Sequence, residues 1–492
     1  MAADPHILRR LRLPARYEGL VAAVGPDVVR VLVEPAQGTI DSFRSVGLAI
    51  PARAEGLFVP ISADSGTGKT TLAQNLSSFL GEYFVPTALH QQEVSVAALE
   101  ATVSSALAQL PANDARVVPL LVDDRESNPA TDAELAAMKQ FLRRSGTGSR
   151  SLIIWPETSE SIAGDMARRY IAVAGDPPIH LPLLVLGPAT ATWRGVAEAT
   201  LRLVNGLTSL DELGVDPDDY DPAEFPSLGA FLRRISDDFT RLVNDLLTAT
   251  ELPVSLVVLI ASVSSDAGVL SQLTSGTEFG LLDPHALVDA TPDSVIGRWW
   301  NDRRSLLTQL IVRMDARAFC APPSVVVPVL RRYADPVFKA PLEALVALRS
   351  EAELVRTFSR SDVGRFAAGE IRAAYESRGT PATTSESAFE LLAEQVGFSA
   401  GRDKLANRGL AELLGAPALC EANDWTGVSP EEKLPFAPII PDIRIDRPGS
   451  YLCLELTWRK GEFLGSASRS AVAQYLLGKV QNYGRELGWI TD

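Results

Sequence analysis

The sequence predicts an α/β protein: a parallel sheet covered by helices, then a mainly helical middle region, then a small α/β unit at the far end. Three observations carry that expectation. Apolar runs at Phe58 to Ile61, Val117 to Val122, Leu152 to Trp155, Leu181 to Leu186 and Ser255 to Val263 are continuous rather than alternating, with helical patterns between them; strands of a parallel sheet covered on both faces read this way. A glycine-bearing turn, residues 63–71, joins the first of these runs to an amphipathic helix pattern, Thr70 to Leu80, with Leu72, Leu76 and Leu80 at helical spacing. Near the other end, two strand patterns that carry acidic residues meet at Pro448-Gly449 and lead into a long amphipathic helix, Ser466 to Leu487.

At 492 residues the chain exceeds one compact core, and about 150 residues per domain implies two to four. With 46% hydrophobic and 22% charged residues it has an ordinary globular composition, which excludes large-scale disorder. A net charge of −15 argues against a general nucleic-acid coat protein, though a local basic surface can survive within an acidic whole. Cys320, Cys420 and Cys453 are three and far apart, which supports neither a disulfide framework nor a zinc cluster. The four histidines, His6, His90, His180 and His285, are equally scattered, so neither a zinc site nor a Ser-His nucleophile is expected. The start of the sequence lacks the order of a signal peptide, and the longest apolar stretch, near Leu252 to Ala261, falls far short of the roughly 20 residues that span a bilayer. A cytoplasmic protein without membrane contact is the expectation.

The elements follow in order. Residues 1–55 form a lead-in in which Val28 to Val33 suggests a strand. Residues 56–265 hold the parallel sheet, interrupted by an Asp- and Pro-rich stretch, Asp211 to Pro226, expected as a solvated loop. Residues 266–376 are expected as a helical region or lid, with helices at Ser305 to Ala316, Pro341 to Ser350 and Val363 to Ser377. Residues 377–387 read as a linker, and 388–492 as the second α/β unit.

Ala63-Asp64-Ser65-Gly66-Thr67-Gly68-Lys69-Thr70-Thr71, after an apolar strand and before a helix, resembles the Walker A loop of P-loop NTPases. Glycines at 66 and 68 allow successive N–H groups to turn inward around phosphate oxygens. The resemblance implies that residues 63–71 bind ATP, with Lys69 against the β/γ-phosphates and the Thr70 hydroxyl on Mg²⁺. Ala63 stands where glycine is usual, a small residue that still permits a tight exit from the strand.

Val117 to Val122 followed by Asp123 and Asp124 resembles a Walker B strand, with Asp123 holding Mg²⁺ through water and Asp124 or Glu126 orienting the attacking water. Many ATPases of this kind have Glu as the second acid. The strand Ser151 to Trp155 runs into Glu157 and Thr158, either of which would sense the γ-phosphate if the resemblance extends to additional-strand ATPases such as the AAA+ and STAND groups. A turn at Pro156 with a helix N-cap at Thr158 or Ser159 accounts for the same residues.

In the last hundred residues a helix pattern, Thr384 to Phe398, carries Glu386, Glu390 and Glu394. The strands Ile439 to Ile445 and Tyr451 to Arg459 then carry Asp442 and Glu455. Their order resembles the restriction-endonuclease-like fold with its PD-(D/E)xK motif. That resemblance implies Mg²⁺ ligation by Asp442 and Glu455, with Glu390 a third carboxylate, since metal must neutralise a phosphodiester and activate water before it is cut. The motif lysine is replaced by Thr457; Arg459, Lys460 and Lys479 are the nearby cations, and Lys479 lies on the following helix. Little sequence follows Leu487 to form the last strand of that fold.

Pairing of an ATPase with a nuclease-like unit resembles prokaryotic anti-phage defence proteins. The functional expectation is therefore an ATP hydrolase whose nucleotide state controls a Mg²⁺-dependent nuclease-like domain acting on or binding DNA, as a homo-oligomer or with other defence proteins. The alternatives are a nucleotide-gated scaffold whose nuclease-like domain only binds DNA or protein, and a metabolic P-loop kinase.

Overall fold

The computed structural model describes residues 6–25, 35–64, 66–111, 113–123, 125, 128–248, 252–263, 268–375, 383–399, 401–461 and 463–490. Ser65, Asp124, Glu126, the run Val28 to Val33 and most of the linker therefore lie outside the described residues. Two compact units divide the chain, one of Leu13–Thr200 with Pro217–Asp238, the other of Met1–Arg12, Leu201–Asp216 and Phe239–Asp492.

The first unit contains β1 (Leu57–Ser62), β2 (Ala88–Leu89), β3 (Val118–Leu121), β4 (Ser151–Glu157) and β5 (Leu183–Leu184) in the order β2-β3-β4-β1-β5. All neighbours are parallel. Every residue of β1, β3 and β4 is buried. Alternation along these strands supplies two cores: Leu57, Val59, Ile61, Leu152 and Ile154 pack on one, Phe58, Leu120, Ile153 and Trp155 on the other. Each such side chain gains about 1.5–3 kcal/mol from burial, which explains why continuous apolar runs make strands here. The helix Gln37–Arg53 adds Phe43, Val46 and Ile50 to the first core, and Asp132–Leu142 adds Leu135, Met138 and Phe141 to the second. Thr131 and Glu134 close a capping box at the start of the latter.

The second unit contains β6 (Val254–Ala261), β7 (Arg317–Cys320), β8 (Gly427–Pro430), β9 (Ile443–Arg447) and β10 (Ser450–Trp458), ordered β7-β6-β10-β9-β8. β8, β9 and β10 form an antiparallel meander, whereas β10, β6 and β7 are parallel. The turn between β9 and β10 is Pro448-Gly449, with Gly449 at φ 71° as so tight a reversal requires.

Several expectations change. The apolar run at 255–263 does not extend the first sheet: β6 pairs along its length with β10 of the second. A fully buried eight-residue strand must satisfy its backbone polar groups on both edges, and β7 and β10 do so. The second sheet thus draws strands from 254–320 as well as from the segment after 388, and β6 is the parallel neighbour of β10.

The middle region is not wholly helical, since β7 is a buried strand within it. The helices nearest the expected ones are Arg304–Arg313, Pro336–Leu342, Glu351–Ser359 and Asp362–Ala367, and residues 343–350 are not helical. The described part of residues 1–55 contains the helices Tyr17–Val24 and Gln37–Arg53, and the expected strand at Val28 to Val33 lies outside it. The helix after the glycine loop is interrupted at Asn75, between Lys69–Gln74 and Leu76–Phe79: the Asn75 backbone leaves helical geometry (φ −107°, ψ 16°), and its side chain donates to the Thr71 carbonyl at 2.7 Å. The stretch 211–226 contributes buried Glu212 and Leu213 rather than a solvated face alone.

Candidate functional site

In the first unit, β1 ends at Ser62 and residues 63–68 turn the chain into the helix Lys69–Gln74. Gly66 and Gly68 take φ of 82° and 97°, left-handed geometry that strains any other residue. Space is also short at Gly66, where a Cβ would stand 2.9 Å from Ser227 Oγ, and its carbonyl accepts the Gly229 N–H at 3.1 Å. Thr67 Oγ1 donates to the Asp64 carbonyl at 2.7 Å. Lys69 is buried, and its Nζ donates to the Ala63 carbonyl at 2.8 Å. The ammonium is thereby drawn back over the loop toward the end of β1. Thr70 and Thr71 lie half-buried in the first helical turn, where N–H groups and the helix dipole favour an anion.

Register brings an acid to the same edge. Glu157, the last residue of β4, is fully buried and pairs with Ser62 of β1. Its carbonyl accepts the Ala63 N–H at 3.4 Å and its Oε1 accepts the Thr158 N–H at 2.9 Å. The helix that follows is capped by Ser159, whose side chain accepts from Ile162 N–H. Asp123 is half-buried beyond β3, after Val122, whose N–H donates to the Ile154 carbonyl at 3.0 Å. An added strand, β4, therefore stands between the glycine-loop strand and the strand leading to Asp123. Among the described residues of this unit, the cradle glycines, a buried lysine, the Thr70 hydroxyl and the acids Asp123 and Glu157 form a donor and acceptor set that suits a nucleotide polyphosphate and Mg²⁺.

In the second unit, Glu455, Thr457 and Arg459 alternate onto one face at the end of β10. They meet a stripe of the helix Arg469–Glu486, Tyr475, Lys479 and Tyr483, spaced four residues apart. Lys479 Nζ donates to Glu455 Oε2, and Tyr483 Oη donates to Glu455 Oε1 at 2.6 Å. Arg459 Nε donates to Thr457 Oγ1 at 2.8 Å, with its guanidinium 5.3 Å from the Tyr475 ring. The opposite face of β10 is conventional core: Trp458 donates from Nε1 to Asn407 Oδ1 at 2.8 Å and stacks 5.3 Å from Phe398.

Asp442, immediately before β9, joins this group, its Oδ2 accepting the Leu456 N–H at 2.7 Å. Burial, reinforced by the charge of Glu455, pushes the Asp442 carboxyl up to about 6. Burial pushes the Lys479 ammonium down, but the charge of Glu455, its hydrogen bond and the nearby Tyr475 and Asp442 together outweigh it, leaving Lys479 above its ordinary value, and burial raises the Tyr483 phenol far above its own. A strand-helix interface ordinarily excludes such groups because their desolvation is costly. A divalent cation would relieve the repulsion between Asp442 and Glu455 and supply Lewis acidity, so the pair suits a Mg²⁺ that keeps several waters.

Glu390 is not part of this site. Its helix, Thr383–Gln395, turns Ala388, Phe389, Leu392 and Ala393 inward and leaves Glu390 exposed. Among the described residues no group of three or more His, Cys, Asp or Glu side chains could hold a metal. The sequence reading missed Tyr475 and Tyr483; their four-residue spacing with Lys479 was the available signal. His6 and His90 are buried and His180 is exposed. Among the described residues no helix is long and apolar enough to cross a membrane.

No protein-family model and no curated protein matches the sequence. Among solved structures, the crystal structure of Cdc6p from Pyrobaculum aerophilum is similar over 80% of this chain and 90% of that one, at 9% identity and a TM-score of 0.25. That likeness is too distant to carry fold or function across.

Proposed function

We propose that this chain binds and hydrolyses ATP with Mg²⁺ in its first unit, and that the nucleotide state controls a nuclease-like site in its second unit that acts on DNA in anti-phage defence. One observation carries the reading: each compact unit brings a lysine to the end of a buried strand, Lys69 to β1 and Lys479 to Glu455 of β10. In the first unit Lys69 and the loop N–H groups would hold the β/γ-phosphates, Thr70 and Asp123 would hold Mg²⁺, and Glu157 would sense the γ-phosphate. The position of β4 between β1 and β3 supports the additional-strand form of the P-loop resemblance.

In the second unit Asp442 and Glu455 hold the metal, and Lys479 takes the place left by Thr457. Bound Mg²⁺ would neutralise the phosphate and lower the pKa of water. The coupled charges of Asp442, Glu455 and Lys479 support that assignment.

Plasmid DNA incubated with the protein, Mg²⁺ and ATP tests it. Nicking that Glu455→Ala abolishes is the expected result; intact plasmid would overturn the cleavage half. A second reading, a nucleotide-gated scaffold with an inactive nuclease-like domain, is favoured by one observation: both oxygens of Glu455 already accept hydrogen bonds, from Lys479 and Tyr483. It predicts DNA or protein binding without nicking.

A further inference from the structure

Thr457 occupies the position where the motif expects lysine, yet it is not idle. It lies buried on the functional face of β10, and its hydroxyl accepts Arg459 Nε at 2.8 Å. The Arg459 backbone is tied as well, its N–H donating to the Ala261 carbonyl of β6 at 2.8 Å. Two rings flank the guanidinium, Phe463 at 4.9 Å and Tyr475 at 5.3 Å. Arg459 is thus fixed through its backbone, through Nε and through its π contacts, the arrangement that presents the terminal amino groups of the fork in a set orientation. Among the described residues it makes no ion pair. Lys479, the other cation of the ladder, is by contrast committed to Glu455.

The two cations consequently divide a task that a single motif lysine would perform. A site that places Asp442 and Glu455 together repels a phosphodiester, and Lys479 is spent on one of those carboxylates. A second cation on the same face is needed to draw a polyanion in, and Arg suits it because its fork matches phosphate oxygens.

We infer that Arg459, oriented by Thr457, is the residue of the second site that binds a nucleic-acid phosphodiester. This rests on the nuclease-like reading above. Thr457 acts through Arg459 and is a positioning residue.

Fluorescence anisotropy with a short labelled DNA duplex, and with a single-stranded RNA of the same sequence, tests the inference across a KCl series in Ca²⁺. Arg459→Gln should weaken binding roughly tenfold and reduce the slope of log affinity against log salt by about one, the signature of one lost phosphate contact. Arg459→Lys should keep the slope but recover only part of the affinity. Thr457→Val should fall between, and Thr457→Ser should restore wild-type binding. The probe bound more tightly by wild type identifies the polymer. A folded Arg459→Gln protein, judged by circular dichroism, with wild-type affinity and slope overturns the inference alone. Wild-type protein that binds neither probe overturns the nuclease-like reading and this inference with it.

Discussion

The Lys479 ammonium donates to Glu455 Oε2 from a helix that begins only after β10 has ended, while Tyr483, one turn further on, donates to Oε1 of the same carboxylate. Both groups of the pair are largely withdrawn from water, at 24% and 7% side-chain exposure. Removing one partner of such a pair strands the other charge.

Lys479→Met is therefore expected to destabilise the second unit by about 3–5 kcal/mol. Adding Glu455→Gln should return much of that loss, because the stranded carboxylate is gone. Urea unfolding of the two single variants and the double variant measures the coupling; strictly additive effects would refute it.

Asp442 offers a pH test. Its carboxyl is raised to about 6 by burial and by Glu455, so its contribution to stability is complete below the ordinary carboxylate value near 3.8 and is lost as pH rises through about 6. Asp442→Asn stays neutral and can still accept the Leu456 N–H. Above pH 6 it should exceed wild type in stability by up to about 3 kcal/mol, a gain that shrinks toward zero near pH 4. Thermal unfolding at several pH values measures this; equal gains at all pH values would refute it.

In the glycine loop, Lys69→Ala removes the cation that reaches back to Ala63. ATP binding measured by calorimetry should weaken at least roughly tenfold, the scale of one charge-assisted hydrogen bond of about 1.5–3 kcal/mol. Glu157→Gln, nearly isosteric in its buried place, should slow hydrolysis while leaving binding close to wild type. Unchanged ATP affinity in Lys69→Ala would remove the basis for the nucleotide site.

A second pH window comes from Glu212 and His285, whose Oε2 and Nε2 lie 3.3 Å apart while Thr308 Oγ1 donates to the same carboxylate oxygen at 2.6 Å. The Glu212 carboxylate beside it raises His285 above 6.5, and the close approach of His285 together with the Thr308 hydrogen bond holds Glu212 below 4.5 against the upward push of burial. The histidine contribution is complete below about 6.5 and lost as pH rises through its folded value; the glutamate contribution is complete above about 4.5 and lost as pH falls through its own. His285→Gln should therefore cost most between about pH 5 and 6 and progressively less as pH rises through the raised value of His285. A pH-independent loss in thermal unfolding would contradict this.

Much of the first unit was legible because its signals are local. The continuous apolar runs of β1, β3 and β4, the positive-φ glycines 66 and 68 and the acid at 157 each follow from a few adjacent residues. Asp442, Glu455, the turn at Pro448-Gly449 and the helix bearing Lys479 were legible for the same reason.

The amino-acid sequence by itself determined that the apolar runs of β1, β3, β4, β6, β9 and β10 become strands, where a glycine turn leads from a buried strand into a helix, and which strand ends carry acids. Tertiary structure alone decided that β6 lies beside β10 rather than in the first sheet, that Glu390 faces outward, and that Lys479, Tyr483 and Arg459 converge on Glu455 and Thr457. The physical reason is that a ladder of backbone hydrogen bonds carries no address: an apolar strand can pair with any equally buried neighbour, and the partner is settled by how the helices and sheets pack together.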